Sequence, residues 1–461
     1  MLKSSRKSTV LFLISLILIS SLAAGCSALR GSDSPIGSLF THIEATPTAE
    51  ISDPETENIE TDISETESVT SETEGEAEIK PEETEEPVPE TVTIRLWIPP
   101  QFDTEQNTQG GAALSEAIAA YTEAHPNVNI SLRVKATSGE SSMLNTLTAA
   151  NHIAKDVLPS MVLLSRSDME TAVQRGLAKQ IATSVLSDSS SWYGYARQSA
   201  VIDSTIYGIP VIGDSLVLTY RKAKTGTELT DWQDILTRGL PIGFAPSSSS
   251  SLFGTFLYLS MGGKLTNDQG QAFIDKQKLT DTLNFFLSGG QNGAFPPSLA
   301  QLVDQAQVWQ RFSEGTMSII VSQFSSFKHY QTPEIDAHAL PLSEQNTGYP
   351  LVNTWNLILI EEDPVLQQEA INFAEFLADI NENDIFSAKA GYLPVRISDH
   401  NAWKDDPQAE IAAAISENAQ LLPSSQILHK IVPIINNAVS QVIKNQATPD
   451  AAAQEAVNSL N

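Results

Sequence analysis

One stretch, Ile206–Lys222, reading IYGIPVIGDSLVLTYRK, interrupts an otherwise regular alternation of strand and helix signals. About 120 residues of that alternation precede it, and a fresh set begins after it. Within the stretch, an apolar approach ends in Gly208-Ile209-Pro210, Gly213-Asp214 reads as a small turn, and Leu216–Tyr220 reads as a strand. Repeated strand–helix–strand units predict an α/β fold whose mostly parallel sheet is covered on both faces. A break of this kind, with one acid, Asp214, at the junction, is where the chain would cross between two lobes. A cleft between lobes is a preferred place for a small-molecule site. The 461 residues are enough for two domains plus extensions.

The first lobe can be read in order. Thr91–Ile98 alternates as a strand that Pro99-Pro100 ends. Ala112–Glu123 places Leu114, Ala117, Ile118 and Tyr121 at helical spacing, and His125-Pro126-Asn127 stops it. Val128–Val134 is the next strand. A helix around Ser141–Asn151, a strand over Met161–Leu164 and a helix over Asp168–Arg175 follow, ending at Gly176. In open sheets of this type ligands bind beyond the carboxyl ends of the strands. That makes Gln101 and Phe102, then Ser165 and Asp168, candidates.

The chain begins with a basic segment (Lys3, Arg6, Lys7) and an apolar run over Val10–Ala24 that is short for a bilayer span, so it reads as an export signal. It ends in Leu22-Ala23-Ala24-Gly25-Cys26, which resembles a bacterial lipobox with Ala23 where the pattern prefers Leu. The resemblance implies acylation of Cys26, residues 1–25 as signal peptide, and a mature chain anchored on the outer face of the cell membrane. Ordinary signal cleavage remains the alternative. Cys26 is the only cysteine, so neither an internal disulfide nor a cysteine-based zinc site can form. Residues 41–90 hold 18 Asp and Glu against Lys80 alone, and from 27 to 90 the only Phe, Tyr or Trp is Phe40. Such a segment buries too little apolar surface to offset its ordering entropy, so 26–90 is expected to be an extended acidic tether. The rest of the chain has 37 acids against 22 bases, a moderately acidic balance that argues against nucleic acid or an anionic membrane surface as partner.

After the break, Asp231 is placed to cap a helix over Asp231–Leu236, and Pro241–Phe244 reads as a short buried strand. Ser247–Ser251 either offers hydroxyls to a ligand or simply makes a loop, the loop being preferred, before a helix over Leu252–Met261. Strands are expected over Met317–Val321, Asp336–Leu340 and Asn356–Ile360, with Ser322-Gln323-Phe324 just past a strand end. Helices are expected over Val365–Leu377 and Asp384–Ala388, and in three pieces from about Gln408.

The series "LP-MVLL", "GLAKQI", "WYGYA", "YGIPVIGDSLVLTYRK", "DWQDIL", "FLYLSMGGKL", "WQRFSEGTMSII", "AHALPL", "WNLILI", "AGYLPVR" and "ENAQLLP" resembles, in serial order, the bacterial extracellular solute-binding proteins of family 1 over residues 91–461. These are the carbohydrate receptors of ABC importers, with the maltose- and glycerol-phosphate-binding proteins among them. The resemblance implies a two-lobe, hinge-linked, type II periplasmic-binding-protein fold. Lobe 1 would comprise 91–212 with 343–392, and lobe 2 213–342 with 393–461. Crossings would lie near Ile209–Asp214, Leu340–Leu351 and Gly391–Arg396.

A sugar site needs acids, amides and an aromatic platform. Eight residues are expected to bind ligand: Ser165 and Asp168 from their place past the third strand, Gln101, Asp214, Gln323, Phe324 and Trp355 as the resemblance implies, and Tyr392 in the Gly-Tyr-Leu-Pro-Val-Arg segment as facing the cleft. Asp214 has a hinge turn as its alternative role, and Trp355 a place in the core. Trp97 reads as core, and Arg396 as structural. Leu164-Ser165 stands where relatives often carry an aromatic, which argues against assigning maltose. No metal or cofactor is expected. The partners expected are a small-molecule ligand, ABC permease subunits and the membrane through Cys26, with the chain a monomer. A tethered sensor for a membrane signalling protein is the alternative. An enzyme is not expected. Gly213-Asp214-Ser215-Leu216 spells the GDSL hydrolase tetrapeptide, but none of the seven histidines stands three places after an Asp.

Overall fold

A computed structural model describes residues 91–226, 229, 231–341 and 349–460. The signal segment, Cys26 and the acidic tether lie outside the described residues.

The first strand, β1 (Val92–Ile98), stops at the proline pair, and Thr108 caps the next helix, α1 (Gln109–Ala124), by accepting from Gly111 N. Then come β2 (Val128–Val134), α2 (Met143–Ile153), β3 (Met161–Ser165) and α3 (Arg166–Gln174). Next are α4 (Gly194–Ser199), the short pair β4 (Val201–Ile202) and β5 (Thr205–Ile206), and the long β6 (Gly208–Arg221). Beyond it lie α5 (Lys222–Thr225), α6 (Trp232–Thr237), β7 (Ile242–Gly243), α7 (Phe253–Ser260), α8 (Lys276–Gln291), α9 (Gln305–Ser313), β8 (Ile319–Gln323), α10 (Phe324–Tyr330) and β9 (Ile335–Ala339). The chain returns through β10 (Leu351–Leu359), α11 (Pro364–Leu377) and α12 (Ile380–Ala390). It ends with α13 (Ala409–Asn418), β11 (Gln420–Leu421), α14 (Ser425–Ile443) and α15 (Pro449–Leu460). As expected, Asp231 caps α6, accepting from Asp234 N at 2.7 Å.

The main sheet has the order β2-β1-β3-β10-β6-β8-β7, with β11 paired to β10 and β9 to β6. It is mixed, not mostly parallel. β1 runs parallel to β2 and β3, but β10 is antiparallel to both β3 and β6, because it returns from the far half of the chain. The chain's two halves share β6. Residues 208–215 pair with β10, and residues 216–221 pair with β8 and β9.

The turn expected at Gly213-Asp214 is replaced by continuous strand, with Gly213 opposite Thr354 and Asp214 opposite Asn353. The glycine answers a packing demand. A Cβ on Gly213 would sit 2.9 Å from the Tyr195 ring and from Val352. Its N–H and C=O both bond Leu393, each at 2.9 Å, so Leu393 forms a single bridge to the strand at Gly213.

α11 and α12 pack with α1 over the β1–β3 half, α3 packs on β3 and β10, and α7, α8, α14 and α15 pack on one another. One hydrophobic core runs through both halves, and a smaller cluster holds Trp97, Leu164, Met169 and Ile358. Trp97 is 3% exposed in that cluster, with Lys135 Nζ 4.9 Å from its ring centre.

Candidate functional site

The shared strand pair β6–β10 forms the floor on which the polar side chains converge. Asp214 is 9% exposed, and its carboxylate accepts three hydrogen bonds from the protein. Oδ1 accepts from Ser215 N at 3.0 Å and Ser325 N at 3.1 Å, and Oδ2 accepts from the Ser325 hydroxyl at 2.6 Å. Burial pushes its pKa up to about 6, although the Ser325 and Ser215 hydrogen bonds oppose the shift. Tyr392 closes the same corner. Its ring stacks on Phe102 at 5.6 Å, and burial and the nearby Asp214 push its phenol up, with a Ser325 hydrogen bond opposing.

Three pockets open around this floor. One lies against Asp214, Ser215, Asn353 and Gln323 and is otherwise apolar, with Leu252, Phe256 and Leu422 in its walls. Its volume is about 20 Å³, room for roughly one water and too little for a sugar ring. A second, of about 130 Å³, shares Leu252 and Gln323 with the first and adds Ser248, Ser250, Ser251 and Gln305. The third, of about 270 Å³, brings Gln101, Thr108 and Gln109 of the first half against Ser325 and His329 of the second, beside Tyr392. Amides and hydroxyls from both halves therefore face common space, which suits a ligand rich in hydroxyl groups.

The wall above β3 is built by a capping motif. Ser165 caps α3 by accepting from Asp168 N at 3.2 Å, and its hydroxyl lies 3.1 Å from Asp168 Oδ2. Burial raises the Asp168 carboxyl, while Ser165, His429 and Arg175 lower it. Trp355 stands opposite Ser165 in the β10–β3 register and opposite Ile212 in the β10–β6 register, beside the irregularity at Trp355/Asn356. It is half-buried and packs partly on the main core.

A family model described as "Bacterial extracellular solute-binding protein" matches residues 116–411. The chain belongs to the bacterial extracellular solute-binding proteins. Solved structures agree on the fold. Maltose-bound MalE3 of T. maritima superposes with a TM-score of 0.64 at 13% identity, covering 80% of this chain and 98% of that one. The cyclic α-maltosyl-1,6-maltose binding protein of Arthrobacter globiformis gives 0.65 at 16%, covering 80% and 98%. Lmo0181 of Listeria monocytogenes, in complex with cycloalternan, gives 0.61 at 15%, covering 81% and 98%. No curated protein matches the sequence.

In this solute-binding protein the eight residues singled out from sequence fall into separate groups. Asp214 and Gln323 share a pocket, Gln101 and Tyr392 share another, and Ser165, Asp168 and Trp355 meet at the β3–β10 junction. Phe324 is 0% exposed and packs between Phe327 and Trp403, so its ring offers no face to a ligand in this arrangement. Arg396 stacks over Trp192 at 4.2 Å and donates to the Ser191 hydroxyl. The serine run is a loop tied down by Asn436, whose amide donates to the Ser248 and Ser251 carbonyls. The Ser215 hydroxyl of the GDSL tetrapeptide donates to Leu351 O at 3.0 Å.

Sequence reasoning passed over Asn353, Gln305, Thr108, Gln109, Ser325 and His329. The first could have been found by extending the β10 strand signal back from Asn356 to Leu351. Nothing local marks the other five as pocket-lining, because the start of α1, the start of α9 and α10 supply them from distant parts of the chain.

Proposed function

We propose that the chain is an extracytoplasmic, lipid-anchored substrate-binding protein that captures a carbohydrate between its two sheet halves and delivers it to an ABC importer. The supporting observation is the facing of Gln101, Thr108 and Gln109 against Ser325 and His329, beside a floor of Asp214, Asn353 and Gln323. Amides and hydroxyls of this kind can exchange hydrogen bonds with sugar hydroxyls, and Trp355 supplies the apolar platform. In this reading the small volume at the floor widens when the halves separate, and the ligand enters then. Contacts from both halves would then favour the closed form, a population shift set by differential affinity. In this reading the lobes are 91–212 with 343–392 and 213–342 with 393–461. Acylated Cys26 holds the chain at the membrane, and the acidic tether lets it search for the permease. The named carbohydrate ligands of the MalE3, Arthrobacter and Listeria proteins point the same way.

A thermal-shift screen of the protein against mono- and oligosaccharides tests the reading. A sugar that raises the melting temperature with dose supports it. No response from any sugar would move the assignment to a different ligand class or to a sensor.

A further inference from the structure

Helix α14 lacks a cap from its own sequence. Its N-cap residue, Ser424, makes no side-chain cap hydrogen bond. The acceptor comes instead from 255 positions away. Glu170 Oε2, on α3, accepts from Ser425 N at 2.7 Å. Glu170 is 7% exposed and held in place by Arg166, whose Nε donates to Oε1 at 3.0 Å. Arg166 is anchored in turn through the Ser199 and Val201 carbonyls at 2.6 and 3.0 Å. The network runs from the end of α4 through Arg166 and Glu170 to the first turn of α14.

The two ends of that network sit on different halves. α3 packs on β3 and β10, whereas α14 packs on α7, α8 and α15. A buried carboxylate at a helix N-terminus is favoured by the unpaired N–H groups and by the helix dipole. Pulling the halves apart would strip this carboxylate of its acceptor role and expose the Arg166–Glu170 pair.

We propose that Glu170 is a positioning residue that latches the two halves against each other by capping α14, which packs in the second half, from α3 of the first. It acts on closure without touching ligand, and the proposal rests on the two-lobe reading above.

The test reads geometry in the absence of any sugar. Spin labels are placed in the intact chain with Ile153→Cys on α2 and Ala451→Cys on α15, both exposed positions, after Cys26→Ser removes the native thiol. Inter-label distances are measured by double electron–electron resonance in this background and with Glu170→Ala, Glu170→Gln or Ser425→Pro added. Ser425 is the first helical residue of α14, where proline is well tolerated, and Ser424 already has the extended conformation that precedes proline (φ −55°, ψ 147°). That variant deletes the N–H donor and sets the ring Cδ in its place, so the Glu170 side chain must also withdraw from the end of α14.

The latch predicts that Glu170→Ala and Ser425→Pro each raise the longer-distance population relative to the shorter about tenfold, the scale of one lost hydrogen bond to a charged group. Glu170→Gln, which keeps a neutral acceptor, should fall between. Unchanged distances with a lower unfolding midpoint would reduce Glu170 to an ordinary helix cap and overturn the proposal. So would one unchanged distance in every variant. Failure in either form leaves the sugar screen unaffected, and a blank sugar screen leaves these distances unaffected.

Discussion

The Asp214 carboxylate accepts both the backbone N–H and the hydroxyl of Ser325, at 3.1 and 2.6 Å. It thereby ties the strand common to both halves to the first turn of α10. The acid that sequence placed at the junction is held by the protein itself, and a ligand hydroxyl that reaches Asp214 must share or replace the Ser325 hydroxyl.

That burial makes Asp214 a pH-dependent element. Its pKa rises from 3.8 to about 6. Between those values the folded chain keeps a proton that the unfolded chain has lost, so the group's contribution to stability is full below about pH 4 and is lost as pH rises through about 6. Asp214→Asn removes the titration. The stability of the wild type relative to that variant should fall by roughly 2–3 kcal/mol between pH 4 and pH 7. Urea unfolding of both proteins across that range measures it. A difference that is flat or grows with pH contradicts the account.

Gly213→Ala should destabilise the shared strand. The added methyl meets Tyr195 and Val352 at 2.9 Å, and neither neighbour can withdraw without disturbing the core, so about 1–3 kcal/mol is expected. A change below about 0.5 kcal/mol in chemical denaturation would mean that the strand slides to make room.

Phe324→Ala separates a core role from a ligand role. The fully buried ring packs on Phe327 and Trp403, and its loss should cost about 3–5 kcal/mol. Thermal unfolding reads this directly. A variant with near-normal stability but lost ligand binding would instead place the ring in the cleft.

Much of the fold was legible. β2 falls on the expected residues, β1 within one residue of them, and the last part forms the three expected helices, because apolar periodicity and proline or asparagine stops are local signals. The reading failed where a distant partner decides. Gly213-Asp214 carries turn chemistry, yet β10, some 140 positions on, pairs straight through it, and Tyr195 explains the glycine. β10 begins at Leu351 rather than Asn356, which puts Trp355 in mid-strand and brings Asn353 beside Asp214. Gln323 and Asp214 could be named from strand ends and the junction. Ser325 and Glu170 could not, since their partners lie 111 and 255 positions away.

The most direct measurement is calorimetric titration of a sugar found to stabilise the protein, into the wild type and into Trp355→Ala and Gln323→Ala. Binding by the wild type, weakened at least tenfold in each variant while both remain folded, is the predicted result. Equal affinity in all three would contradict a site on the β6–β10 floor.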